Sequence, residues 1–153
     1  MARLDASRVA AWRELQSIGA AVERRIDEVL MAEWQVPLGW FDVLAALQRM
    51  GGRARPSEVA DELWLVRSSL SRRLDRLEEE GWVARTRPTS RHDHRAVLVE
   101  LTPRGRTLWR EMNVTYRRAL QAHVSQVLSE GDVGDLRRIL GNLATGLAEP
   151  ASA

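Results

Sequence analysis

Residues Pro56 to Gly105 read PSEVADELWLVRSSLSRRLDRLEEEGWVARTRPTSRHDHRAVLVELTPRG. Pro56 suits the first turn of a helix, and Glu58 lies near that helix's positive end, so a short helix is expected to about Leu63. A longer helix follows from about Arg67 to Glu80 and is terminated by Gly81. The runs Trp82–Arg87 and Ala96–Leu101 are short, partly alternating and β-prone, and read as strands. Between them lies the polar, basic tip PTSRHDHR.

Helix, helix and basic hairpin, in that order, form the sequence pattern of a winged helix-turn-helix, a module that reads double-stranded DNA. On a 100° wheel, Leu70, Leu74 and Leu77 share the face of the second helix that must be buried. Ser68 and Arg72 lie opposite, one turn apart, with Asp75, Arg76 and Glu79 around or beyond them. Side chains in the N-terminal half of such a helix reach base edges in a major groove. An arginine at Arg72 can pair with guanine O6 and N7. Ser68 and Ser69 are short enough to let the helix approach, and Ser71 joins the same candidate set. Arg73 and Arg76 are expected to face phosphates, which give affinity without sequence information.

Between Arg67 and Arg95 there are eight arginines (67, 72, 73, 76, 85, 87, 91, 95) against five acids (75, 78, 79, 80, 93). Three of those acids gather at the helix C-terminus, which is therefore expected to point out of the groove. In the tip, Arg91, Asp93 and Arg95 alternate and share one side of a strand-like segment. The arginines suit a minor groove, and Asp93 makes sense as the partner that shapes the tip.

Outside this stretch the chain reads as helix. Asp5 to about Glu33 has apolar residues near helical spacing, with Pro37 ending the run. A second helix is expected from Trp40 to Met50, stopped by Gly51-Gly52. Thr102 and Pro103 suit the cap and first position of a helix to about Leu128, and Asp132 is expected to cap another to about Leu147. The expected fold is mainly α with a small β-hairpin wing, in the order α1-α2-α3-α4-β-wing-β-α5-α6. Its expected parts are an N-terminal dimerisation helix (1–36), a winged DNA-binding lobe (37–102) and C-terminal dimerisation helices (103–153).

Composition narrows the alternatives. All 23 basic residues among the 153 are arginine, and cysteine is absent, which excludes disulfides and thiolate chemistry. No apolar run approaches the ~18 residues that span a membrane. The first residues, MARLDASRVAAWRELQ, lack the continuous apolar core of a signal peptide, so a cytoplasmic protein is expected. His92, His94 and His123 lack a supporting carboxylate or thiol set, so no metal and no cofactor is expected. No nucleophile motif or phosphate loop argues for an enzyme. Of the six tryptophans, most are expected in core or interface packing. Alternatively, Trp12, Trp34, Trp40 and Trp109 line an apolar pocket for an aromatic effector.

The chain resembles the MarR family of transcription regulators over nearly its whole length. The resemblance rests on RPSEVADEL, SSLSRRLDRLEEEGWVAR and DHRAVLVELTPRGR, and within them on Leu77, Glu78, Gly81, Asp93, Arg95, Leu101, Thr102 and Gly105. It implies a homodimer whose first, fifth and sixth helices intertwine and whose two lobes read a pseudo-palindromic operator. It also implies base contacts from Ser68 and Arg72, a minor-groove role for Arg95, and release of DNA by a small effector bound between lobe and dimer region. Two positions depart from the family pattern. Trp64-Leu65-Val66 stands where a small glycine-like residue and a Ser/Thr cap are usual, so the helix start either shifts or is held by packing of Trp64. Arg55 stands where a Ser/Thr cap is usual. A competing reading keeps the winged fold but gives it a partner protein in place of DNA; a salt-dependent affinity for DNA separates the two.

Overall fold

A computed structural model describes residues 3–87, 89–92 and 96–148. Six α-helices and a three-stranded antiparallel sheet appear: α1 (Ala6–Trp34), α2 (Leu38–Arg49), β1 (Arg53–Ala54), α3 (Pro56–Glu62), α4 (Arg67–Glu79), β2 (Val83–Thr86), β3 (Leu98–Leu101), α5 (Pro103–Leu120) and α6 (Glu130–Ala148). The expected order holds, with β1 added. β3 lies in the centre, pairing Val83 with Leu101 through Thr86 with Leu98 on one side and Arg53 with Glu100 on the other. A two-residue strand between a glycine pair and a proline is too short to show alternation in sequence.

Two apolar cores organise the chain. One joins α2, α3, α4 and the sheet, with Val43, Leu47, Val59, Leu70, Leu74, Leu77, Val83, Val99 and Leu101 buried. The wheel's leucine face is thus the face that packs. The other joins the end of α1 to α2 and α5 through Ile26, Leu30, Phe41 and Met112, with the Phe41 and Tyr116 rings 4.7 Å apart. A polar chain reinforces this second core: Trp34 Nε1–H donates to Thr115 Oγ1 at 2.9 Å, and the Thr115 hydroxyl donates to Glu33 at 2.9 Å. Asp27 of α1 accepts the Leu38 N–H at 2.8 Å and so caps α2 from another helix.

The helix ends account for both departures. Arg55 offers no capping oxygen, but Glu58 reaches back to accept the Arg55 N–H at 2.8 Å. α4 starts at Arg67 although Val66 makes no side-chain cap. The turn before it is set by backbone alone: the Trp64 N–H donates to Asp61 O at 3.2 Å, and the Leu65 N–H to Ala60 O at 2.9 Å. This pair of hydrogen bonds is a Schellman closure, which needs a left-handed residue after the cap. Helices α2 and α4 end in the same closure, with Gly51 (φ 85°) and Gly81 (φ 76°) in that position. α3 places Trp64 there, at φ 54°, a conformation costing a side-chain-bearing residue about 1–2 kcal/mol. Trp64 is 67% exposed, so it does not hold the helix start by packing.

α5 continues through one π-helical turn, Gln121–Ser125, before the chain breaks toward α6, short of the helix to Leu128 expected from sequence. α6 begins at Glu130, because Ser129 is the cap and Asp132 its reciprocal partner. Ser129 N–H and hydroxyl donate to Asp132 at 2.8 and 2.7 Å, and the Asp132 N–H returns to Ser129 Oγ at 3.2 Å. The expected cap at Asp132 is therefore corrected to Ser129, two Ser-x-x-Asp ends of one capping box. No residue of α6 is buried. Among the described residues no helix is long and apolar enough to cross a membrane.

Candidate nucleic-acid interface

The outward face of α4 follows from its leucine spacing. With Leu70, Leu74 and Leu77 buried, Ser68, Ser71, Arg72, Asp75, Arg76 and Glu79 are exposed and Ser69 is half-buried. Arg72 forms no ion pair with another described residue, whereas Arg76 pairs with Glu79 at 3.1 Å. Arg73 is placed elsewhere than with the phosphate-facing group. Its guanidinium donates to Gly39 O at 2.9 Å and occupies the space a Cβ at Gly39 would take, about 3.0 Å away. Residue 39 has no side chain, and that vacancy lets α2 and α4 share the cation.

The acids at the α4 C-terminus have partners that the charge count did not reveal. The Arg85 side chain, 12% exposed, lies between Asp75 and Glu78, and Arg87 pairs with Glu78 at 2.8 Å. Glu78 also accepts the Arg85 backbone N–H at 3.1 Å. Partial burial alone would raise the Glu78 pKa, but the hydrogen bonds from Arg85 and Arg87 outweigh it and hold the carboxyl below its ordinary value. These bonds clamp β2 onto α4. They consume the charge of Arg85 and fix the base of the wing relative to the helix. Arg91 is exposed at the hairpin turn. Asp93, His94 and Arg95 lie outside the described residues. Among the described residues no cluster of three His, Cys, Asp or Glu side chains could hold a metal.

Three of the four candidate pocket tryptophans, Trp34, Trp40 and Trp109, pack against the second core, and Trp12 lies apart from them. Trp12 lies on the uncovered N-terminal half of α1, 56% exposed, about 33 Å along the helix from Trp34. Trp34 is tied to Thr115. Trp40 packs edge-on against Trp82, ring centroids 6.3 Å apart. Trp109 sits between the two cores, its indole nitrogen buried without a partner among the described residues.

A different cleft, of about 530 Å³, lies where α1, α2 and the α3–α4 turn meet. It is lined by Glu23, Arg24 and Asp27 of α1, Leu38, Gly39 and Asp42 of α2, and Leu63, Leu65 and Arg73 beyond. Asp42, the one acid in α2, is largely buried. Desolvation raises its pKa to about 6, opposed by Arg73 and Arg49 and assisted by Glu23. A carboxyl whose folded pKa exceeds its unfolded one binds more protons when folded, so stability from this group falls as pH rises from about 4 through 6. Asp42→Asn is expected to stabilise the fold at pH 7 by roughly 1–2 kcal/mol, allowing for residual solvent contact, and by almost nothing at pH 4. Urea midpoints of the two proteins at both pH values check this.

Comparisons agree with this geometry. A model of the MarR family matches residues 34–96, which run from α2 through β2 and stop before β3. The transcriptional regulator PecS of Dickeya dadantii is 29% identical over 92% of this chain and 83% of its own. Sco3205 of Streptomyces coelicolor, a MarR family regulator solved in complex with DNA, is 27% identical with a TM-score of 0.84, covering 100% of this chain and 94% of that one. The chain is similar to MarR family regulators, in its winged lobe by sequence and over its whole length by fold. The transcriptional repressor MdtR of Bacillus subtilis is 28% identical over 85% of this chain and 81% of its own. Within the motif that carries this likeness, Thr102 and Gly105 have a physical role. Thr102 Oγ1 accepts the Gly105 N–H at 3.0 Å and donates to Gly81 O at 2.7 Å, locking the α5 start to the α4 end.

Proposed function

We propose that this chain is a dimeric transcription regulator that binds a pseudo-palindromic operator, acts as a repressor, and is released by a small ligand. The observation that carries it is the leucine-backed α4 with Ser68 and the unpaired Arg72 on its outward face, in a chain similar end to end to a regulator solved with DNA. Ser68, Ser69, Ser71 and Arg72 face the bases, Arg76 a phosphate, and Arg91, Asp93 and Arg95 form the wing's contact. The similarity to MdtR favours repression. Residues 37–102 act as the reader and 1–36 with 103–153 as the dimerisation scaffold, and the DNA partner implies a cytoplasmic location.

The dimer is supported by an uncovered seam. Val133, Leu136, Leu140, Leu143 and Leu147 of α6 are exposed and recur at alternating steps of three and four, the spacing of a helix-to-helix interface. Trp12, Leu15 and Ile18 of α1 are exposed as well. A second copy of the chain covers both.

The effector reading moves from the tryptophans to the polar cleft. That cleft joins the scaffold helix α1 to Arg73 on the reading helix, so a ligand that draws on Arg73 or Asp42 changes how α4 is held. Its charged lining suits a polar ligand with both donors and acceptors. An ionised Asp42 kept at a cost to stability accords with a binding role.

Arg72→Ala tests the DNA assignment. At fixed salt it is expected to weaken binding to a selected site by about 1–3 kcal/mol and to relax the preference at one base pair. Unchanged affinity and unchanged preference would remove Arg72 from the interface.

A further inference from the structure

Trp64 is held in a left-handed conformation that two equivalent turns of the same chain assign to glycine, Gly51 and Gly81. The two hydrogen bonds of the turn hold the backbone there, as they do at the glycines, but the side chain adds little to the fold. The indole is 67% exposed, and no ring contact or hydrogen bond engages its side chain among the described residues. Val66, two residues on, is 67% exposed as well. A bulky side chain kept where glycine would make the same closure without strain points to a role outside the fold.

The surroundings of Trp64 indicate which role. The residue closes α3 and stands three residues before α4, whose first turn carries Arg67 and Ser68, both exposed. Trp64, Val66, Arg67 and Ser68 therefore follow one another at the N-terminal end of the reading helix. That end has no side-chain cap, so its first amide groups remain available to an anion. The opposite end of α4 carries Asp75 and Glu78, engaged by Arg85 and Arg87. An indole offers one N–H donor and no acceptor, and its flat apolar face suits a deoxyribose ring.

We propose that Trp64 is a DNA-backbone contact. Its ring lies along a sugar at the edge of the groove that α4 enters, and its Nε1–H donates to a neighbouring phosphate. The left-handed turn is what projects the ring beyond the α3 end toward the duplex. The proposal rests on α4 being the DNA-reading helix. It adds a contact that positions α4 without reading bases, so it acts alike on all sequences.

Trp64→Gly and Trp64→Phe test it, with Arg72→Ala measured beside them on one selected operator and one unrelated duplex at fixed salt. Trp64→Gly is expected to raise the urea midpoint, because it relieves the turn, yet to weaken binding to both duplexes by about 3–10-fold. Trp64→Phe, which keeps a ring but loses the N–H, is expected to fall between Trp64→Gly and wild type. Wild-type affinity in Trp64→Gly, while Arg72→Ala is weakened, overturns the proposal and leaves the reading helix in place. Wild-type affinity in both variants overturns the role of α4 itself. A Trp64→Gly protein that loses its dimer by sedimentation overturns the proposal too, since the indole then belongs between copies.

Discussion

Alanine at Gly105 is expected to lower stability by about 3 kcal/mol or more, a large part of the 5–15 kcal/mol that holds a typical domain. A Cβ there would lie 1.9 Å from the Trp82 carbonyl oxygen and 2.9 Å from its carbon. Both are backbone atoms and cannot swing aside. That same oxygen accepts the Thr102 N–H at 3.1 Å, and Thr102 in turn holds Gly105 and Gly81. Displacing α5 to make room breaks these hydrogen bonds, each worth about 1 kcal/mol, and adds an overpacking cost of about 1–3 kcal/mol. It also disturbs the pairing of Val83 with Leu101. Urea denaturation measures the effect. An unfolding free energy within about 0.5 kcal/mol of wild type would mean that α5 does not press on the Trp82 backbone.

Glutamate at Leu140 is expected to separate the two copies of the chain. Leu140 lies in the middle of the α6 seam, between Leu136 and Leu143. Burying a leucine contributes about 1.5–3 kcal/mol, and a carboxylate in the same place must be desolvated or exposed. With the substitution present on both two-fold-related helices, the dimer constant is expected to weaken by about 100-fold or more, roughly 3 kcal/mol. Operator affinity should fall with it, because a lone lobe engages one half-site. Sedimentation and DNA titration at one protein concentration read both effects. A Leu140→Glu protein that remains dimeric and binds as tightly as wild type would place the copy-to-copy contact elsewhere.

Most of the fold was legible because its signals are local. Leu70, Leu74 and Leu77 define the buried face of α4 by spacing alone, and Thr102-Pro103 marks the α5 start. At α6 the expected cap at Asp132 falls three residues late, because Ser129 and Asp132 act as a reciprocal pair. The two-residue β1 left no periodic trace. At the candidate site, sequence exposes Ser68 and Arg72 because the wheel puts them opposite the leucines. It could not show that Arg73 turns onto Gly39, that Asp75 and Glu78 bind Arg85, or that Asp42 faces α1. Those pairs join residues on different elements, and only the packing of helices and strands brings them together. Asp42 did leave one signal, the lone acid of a largely apolar helix. At Trp64 the sequence marked an anomaly correctly, and the structure supplied its cause, a glycine geometry occupied by an indole.

The central claim is that two copies of the chain present two α4 helices to one face of a duplex. Hydroxyl-radical footprinting of the wild-type protein on DNA fragments selected from random sequence tests it most directly. The account predicts two protected patches related by a two-fold axis, centred about 34–36 Å apart or a multiple of that, with Leu140→Glu leaving neither at the same concentration. A single protected patch, or protection unchanged by Leu140→Glu, would contradict it.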